Sequence, residues 1–139
     1  MTSSDPKSIP APIRVLYIVG SGRSGSTIIA NILDQIPGTV SPGELYYLWD
    51  RGLIGNDRCG CGKPLASCEL WSSLIEDTLG SNEDPAAMVR RRNATVRTRH
   101  LITILAGRKR QEMNAFLDPT ARVYRALSER TGSTLIVDS

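Results

Sequence analysis

The sequence predicts an α/β fold built on a parallel sheet, and three observations support this prediction. Residues 15–19 form a continuous apolar run, which is typical of a buried parallel strand, and a glycine-rich turn follows them directly. A second apolar run, residues 134–137, lies near the end of the chain. Most of the residues between these runs show helical spacing. Two buried strands that are joined through helices imply a parallel arrangement.

The first half of the chain is predicted in order as follows. Residues 13–19 form the first strand, and a helix over 25–36 ends at the stop signal Pro37-Gly38. Residues 39–42 form a short extended segment, and 43–53 place apolar residues on one helical face. The composition of residues 55–68 is typical of a loop, and 71–79 are predicted as a short helix.

In the second half, two pairs of an aspartate followed by a proline mark helix starts. Asp84-Pro85 is a cap with a first-turn proline, and the helix after it runs to residue 106 with a break near Asn93. Another helix is predicted over 109–117, and Asp118-Pro119 then begins a separate helix over 120–130. Because two strands are few for an open sheet, the chain is expected to be the N-terminal part of a larger domain.

Composition limits the class of protein. The 139 residues are 40% hydrophobic and 22% charged, which is enough for one folded domain, expected over 13–139. Residues 1–12 lack the apolar run of a secretory signal and are expected to form a flexible arm. No apolar stretch reaches the roughly 20 residues of a membrane span. A cytoplasmic location without a membrane partner is therefore expected, and the net charge of +3 suits an anionic ligand.

The most informative segment is residues 20–27, GSGRSGST. Gly20 and Gly25 have the spacing of the phosphate-binding P-loop, G-x-x-x-x-G-K-[ST], but Ser26 stands where that loop has its lysine. Arg23 supplies a cation from within the loop instead. Backbone N–H groups in such a loop and the dipole of the following helix favour an anion. Because nucleotide hydrolysis uses the missing lysine, the sequence argues against an ATPase or GTPase. A turn without a ligand is the other interpretation.

This segment resembles the donor-binding loop of PAPS-dependent sulfotransferases, in particular the bacterial and tyrosylprotein-type branch, where it reads G-x-x-R-S-G-[ST]-T. In that branch a Gly-Glu pair follows about twenty residues later, and here Gly43-Glu44 stands 21 residues after Arg23. The cysteine-glycine loop over 59–62 and the final residues 136–139, IVDS, are similar to further segments of the family.

The resemblance implies a P-loop NTPase-like three-layer fold and transfer of a sulfuryl group from PAPS to a hydroxyl or amine of an acceptor. Glu44 would be the general base, and Arg23 would stabilise charge on the leaving oxygen. The residues implied in binding the phosphosulfate are Gly22, Arg23, Ser24, Gly25, Ser26 and Thr27. No metal is expected for this reaction. The acceptor would be a small molecule, a carbohydrate or a peptide.

The same resemblance limits what these 139 residues are expected to do alone. The family's lysine after Asp138-Ser139 and part of its site for the 3′-phosphate would lie past residue 139, so turnover by this chain alone is not expected. Two alternatives remain open. One is a nucleotide kinase or NTPase with a degenerate P-loop, and the other is a truncated chain that binds an adenine nucleotide without catalysis.

Two further groups of residues carry weaker predictions. Cys59, Cys61 and Cys68 offer three ligands where zinc usually takes four, so reduced thiols are expected, with a disulfide from Cys59 or Cys61 to Cys68 as an alternative. The one histidine, His100, is distant in sequence and is expected to be an ordinary helix residue. Residues 85–111 contain eight basic residues and no acid, which indicates a solvated face. No aromatic residue lies among them, so nucleic acid is not expected as a partner.

Overall fold

A computed structural model describes residues 12–20, 23–97, 100–108 and 110–139. Its centre is a three-stranded parallel sheet of β1 (Arg14–Tyr17), β2 (Thr39–Gly43) and β3 (Leu135–Asp138). The strands lie in the order β1-β3-β2, and both neighbouring pairs are parallel. The predicted α/β fold with a parallel sheet is therefore confirmed.

Five α-helices accompany the sheet within the described residues: α1 (Ser26–Leu33), α2 (Glu69–Thr78), α3 (Pro85–Thr95), α4 (Leu101–Leu105) and α5 (Arg110–Thr131). After β2 the chain forms a 3₁₀ turn, Leu45–Tyr47, and a π-helical segment, Leu48–Ile54. A second 3₁₀ turn, Leu65–Ser67, precedes α2. None of the helices described has both the length and the apolar character that crossing a membrane requires.

The pairing register brings the ends of the three strands together. Tyr17 and Gly43 are both paired with Asp138, so the carboxyl ends of β1, β2 and β3 lie side by side. The register between β2 and β3 shifts between Val40 and Gly43. In open parallel sheets ligands bind at the carboxyl ends of the strands, because the loops that leave the strands converge there.

One strand prediction is confirmed, and another is wrong about burial. Residues 39–42, predicted only as a short extended segment, belong to β2 and supply the third strand. The first strand was predicted to be buried, but β1 lies at the edge of the sheet, and Val15 and Leu16 are each 43% exposed. The buried strand is β3, where Ile136 and Val137 are inaccessible to solvent. An apolar run does not distinguish an edge strand from a central one, because that depends on pairing with distant residues.

The core is formed mainly by helical segments packed on β3. Its largest fully buried side chains come from the π-helical segment, α2, α3, α5 and β3: Trp49, Leu74, Met88, Leu127 and Ile136. In α1 only Ala30 is buried, while Ile28, Ile29 and Ile32 are exposed. The helical periodicity of α1 was predicted, but the described residues do not cover its apolar face.

The start of α3 follows the prediction. Asp84 is the N-cap, and its carboxylate accepts hydrogen bonds from the N–H groups of Ala86 at 2.9 Å and Ala87 at 3.2 Å. Pro85 occupies the first helical turn, where a missing N–H costs nothing because that position has no partner within the helix. The long helix predicted to residue 106 is divided into α3 and α4.

The second cap-plus-proline prediction is wrong. Asp118-Pro119 does not begin a helix, because α5 runs without interruption from residue 110 to 131 with Pro119 inside it. A proline in a helix cannot donate to the carbonyl four residues earlier, here that of Ala115. Nη1 of Arg91 lies 3.5 Å from that oxygen. A long-range contact therefore supplies a donor near the carbonyl that the proline leaves free, and Pro119 is itself buried.

One residue of the basic run is not part of a solvated face. Arg92 on α3 is 4% exposed, and its guanidinium donates to both carboxylate oxygens of Asp50, at 2.8 and 3.3 Å. It also donates to the carbonyl of Tyr46 and lies 4.3 Å from the centre of that ring. Arg92 thus ties α3 to the segment that follows β2, whereas Arg90 remains exposed, as predicted for the run.

Candidate functional site

The glycine-rich loop lies between β1 and α1, so the predicted order of strand, loop and helix is confirmed. Gly22, one of the predicted binding residues, lies outside the described residues, as does Ser21. Arg23 and Gly25 both have positive φ angles, 65° and 83°. Gly25 is the N-cap of α1, and its carbonyl accepts hydrogen bonds from the N–H groups of Ile28, at 3.0 Å, and Ile29, at 3.1 Å.

The start of α1 has the properties of an anion site. The N–H groups of Ser26 and Thr27 belong to the first turn, where no earlier helical carbonyl is available to them. The first turn carries no acidic residue, and the positive end of the helix dipole lies there. Arg23 is exposed two residues before the N-cap. The hydroxyls of Ser24, Ser26 and Thr27 add donors, so this segment can hold an oxyanion group.

Glu44 follows β2 immediately, at the carboxyl edge of the sheet. It precedes the 3₁₀ turn over 45–47, and its side chain is half exposed. One of its oxygens lies 4.0 Å from a guanidinium nitrogen of Arg51, whose cation stacks 4.1 Å from the centre of the Tyr47 ring. Exposed ion pairs of this kind are weak, so the carboxylate remains available to a ligand.

An open cleft of about 630 Å³ connects several of these elements. Its lining includes Thr27 from α1 and Glu44 from the end of β2. Further polar groups come from α1, the π-helical segment, the cysteine loop and the last residue: Asn31, Arg51, Arg58 and Ser139. The structure therefore brings Thr27 and Glu44 to one cavity. Arg23, Ser24 and Gly25 in the adjoining loop and Ser26, the first residue of α1, do not contribute to the lining.

Asp138, at the end of β3, is a buried carboxyl beside this cleft. It is 2% exposed and accepts hydrogen bonds from the N–H of Leu45, at 3.1 Å, and from the hydroxyl of Tyr124 on α5. Burial raises the pKa of Asp138, and the charge of Glu44 adds to this effect, while the two hydrogen bonds oppose it. Burial and the contact with Asp138 also raise the pKa of Tyr124 far above its usual range.

In the sequence, Asp138 stood out only as part of the segment that resembles the sulfotransferase family. Tyr124 did not stand out at all. The signal available for Asp138 was its position directly after an apolar strand, where a parallel sheet presents side chains to a ligand. Tyr124 gave no such signal, because its partner is 14 residues away and the contact depends on how α5 packs on β3. Tyr17 is paired with Asp138 in the sheet, and partial burial and then the charge of Asp138 raise its pKa, although the residue is 55% exposed.

The three cysteines also converge. Their Sγ atoms lie within 4.8 Å of one another, and those of Cys59 and Cys68 are 3.5 Å apart. All three are free thiols, of which Cys61 is exposed and Cys68 buried. Burial raises the pKa of Cys59. Burial alone would also raise the pKa of Cys68, but the N–H groups of Trp71 and Leu70 and the neighbouring thiols lower it on balance.

Comparisons of the chain with protein-family models, with curated proteins and with solved structures find no match. A function for this chain must therefore be argued from its own residues and their geometry. The resemblance of residues 20–27 and Glu44 to a sulfotransferase site stays a prediction.

Proposed function

We propose that this chain binds the phosphosulfate end of PAPS and carries the donor-binding part of a PAPS-dependent sulfotransferase, in a P-loop-like α/β fold. The observation that carries the proposal is that Thr27 and Glu44 line one cleft at the carboxyl edge of the parallel sheet. These two residues are separated along the chain by the rest of α1 and the whole of β2. Because both residues line the cleft, a ligand in it can contact the anion-binding start of α1 and the carboxylate base together.

Donor binding is assigned to the loop and the start of α1. The N–H groups of Ser26 and Thr27 and the nearby hydroxyls provide hydrogen bonds to phosphate or sulfate oxygens. Arg23 provides a planar guanidinium that can donate two parallel hydrogen bonds to such a group. Arg23 is the cation within the loop itself, whereas a nucleotide hydrolase holds Mg²⁺ and uses a lysine that Ser26 replaces.

The transfer step uses Glu44 as general base. The acceptor hydroxyl oxygen bonds to the sulfur, the bond from sulfur to the 5′-phosphate oxygen of PAPS breaks, and PAP leaves with the electron pair. The acceptor proton passes to the Glu44 carboxylate, which is half exposed and faces the cleft. Arg23 offsets the negative charge that develops on the leaving phosphate oxygen. Most of the catalytic effect in such a reaction comes from positioning and charge stabilisation.

Calorimetric titration of the chain with PAP tests the binding assignment. We expect saturable binding of one PAP per chain, and Arg23→Ala should weaken it by about 10-fold or more, because a hydrogen bond to a charged group contributes about 1.5–3 kcal/mol. Arg90→Ala removes an equally charged, exposed arginine on α3 and is the matched control, for which the affinity should stay unchanged.

Two further measurements separate the alternatives. Glu44→Gln keeps the shape of the side chain and removes the base, so PAP affinity should remain close to that of the unchanged chain. Binding of Mg²⁺-ATP without binding of PAP would reject the proposal in favour of a nucleotide kinase or NTPase. Equal PAP affinity for Arg23→Ala and Arg90→Ala would show that the loop is not the donor site.

A further inference from the structure

The arrangement of Cys59, Cys61 and Cys68 has a geometry that the spacing C-x-C-x₆-C alone did not predict. Two of the thiols come from one hairpin and the third from the start of a helix, and all three Sγ atoms lie within 4.8 Å of one another. In a tetrahedral zinc site with Zn–S bonds of about 2.3 Å, the sulfurs are about 3.8 Å apart. The observed separation of Cys59 and Cys68, 3.5 Å, is already close to that distance.

A tight hairpin holds the first two cysteines. Arg58 pairs with Pro64 in an antiparallel bridge, and the N–H of Cys59 donates to the carbonyl of Lys63 at 2.8 Å. The N–H of Gly62 donates back to the carbonyl of Cys59 at 2.8 Å, and Gly62 continues the hairpin with a positive φ of 86°, which glycine adopts readily. Cys61 lies inside this turn. The backbone is therefore ordered around the thiols before any ligand binds.

The third cysteine comes from the start of a helix. Cys68 is the N-cap of α2, directly before the first helical turn. The Sγ of Cys68 lies 3.5 Å from the Sγ of Cys59 in the hairpin. The side chain of Cys68 is 5% exposed and packs in the core with Trp71, so the position of the sulfur is fixed by the fold.

We infer that Cys59, Cys61 and Cys68 form a metal-binding site that takes Zn²⁺ through three thiolates. Binding replaces the three thiol protons, which pass to solvent, and three protein ligands leave one position of a tetrahedral ion to water. Among the described residues, no histidine or carboxylate joins this group. A disulfide would use two of the sulfurs and leave the third without a role, whereas a metal uses all three.

The site would stabilise one wall of the cleft. Arg58, Cys59 and Gly60 line the same cavity as Glu44 and Thr27. A metal that joins the hairpin to the start of α2 would fix the position of Arg58 at that wall. This role is separate from the proposed sulfuryl transfer, which needs no metal, and the site can be tested without PAP.

Titration of the thiol-reduced chain with Co²⁺ tests the site directly, because bonds from thiolates to Co²⁺ give a strong charge-transfer absorption in the near ultraviolet. We expect one Co²⁺ per chain, displaced by Zn²⁺. Cys61→Ser should weaken binding at least about 100-fold, since loss of a direct ligand exceeds the 10–100-fold effect of an outer-shell change. Cys61 is exposed, so the variant should still fold.

The control is His100→Ala, which removes the one histidine and should leave the affinity unchanged. Zn²⁺ should also raise the thermal midpoint of the unchanged chain and not that of Cys61→Ser, because a ligand that binds only the folded state stabilises it. Absence of the charge-transfer band at saturating Co²⁺ would overturn the inference, as would equal affinity for Cys61→Ser. A protein purified without reductant that contains no metal and one titratable thiol would show a disulfide instead.

Discussion

Asp138 is a buried carboxyl group whose hydrogen bonds and pKa both depend on its position in the sheet. It ends the central strand, lies between Tyr124 and the N–H of Leu45, and is close enough to Glu44 for that charge to raise its pKa. A buried carboxyl in this position stabilises the approach of the segment after β2 to α5, because each of its two oxygens accepts a hydrogen bond from a different element.

The raised pKa of Asp138 predicts a pH dependence of stability. The folded chain holds the Asp138 proton more tightly than the unfolded chain, whose pKa is near the ordinary value of 3.8. The contribution to the free energy of unfolding is therefore present in full below that pH and is lost as pH rises through the folded-state pKa. Asp138→Asn cannot titrate, so the stability of the unchanged chain relative to this variant should fall with rising pH.

Urea denaturation of both proteins from pH 3.5 upward to neutrality measures this difference. Asp77→Asn, which changes an exposed carboxylate on α2, is the matched control and should not reproduce the decline. A difference between the unchanged chain and Asp138→Asn that is constant with pH, or that grows as pH rises, would contradict the account of Asp138.

At the scale of the elements, helix starts show what local sequence can and cannot predict. The cap of α3 was predictable because Asp84 and the N–H groups that donate hydrogen bonds to its carboxylate lie within three residues of each other in the sequence. The same two-residue signal failed at Asp118-Pro119, because the structure places a donor from α3 near the carbonyl that Pro119 leaves free. Local signals are reliable where the partners are local, and tertiary contacts override them elsewhere.

Asp84 gives an element-scale prediction. Asp84→Ala removes the acceptor of two N–H groups at the start of α3 and should lower the free energy of unfolding by about 1 kcal/mol. Asp84→Asn keeps a capping oxygen, so it should retain most of the stability although it also loses the exposed ion pair with Arg90. Chemical denaturation measures both variants. If the two lose the same stability, the effect comes from the charge and not from the cap.

At the scale of the whole molecule, the parallel sheet could be predicted from the sequence. The order of its strands and the contacts that depend on this order could not. The strand, loop and helix over residues 14–33 are close in sequence, so their order was readable from glycines and apolar periodicity. The position of β3 between β1 and β2, and with it the group around Asp138, depends on pairing between residues about 100 or more apart. The same holds for the convergence of the three cysteines, since spacing does not define how a hairpin packs against a helix.

The candidate site was likewise predictable in its parts and not in its assembly. Residues 20–27 and Glu44 were identified from residue types and distance along the chain. That Thr27 and Glu44 share a cleft with Arg51 and Arg58 follows only from the fold. The carboxylates of Glu44 and Asp57 line the same cleft and partly offset the charge of the two arginines, and no sequence pattern pointed to either arginine.

The proposed anion site for the donor is the loop before α1, and locating bound PAP on the chain tests this assignment. A titration of the ¹⁵N-labelled chain with PAP, followed by amide chemical shifts, reports this residue by residue. We expect saturable shifts centred on the amides of residues 23–27, with smaller changes at Glu44 across the cleft. Saturable shifts confined to other parts of the chain, or no shifts at millimolar PAP, would contradict the assignment.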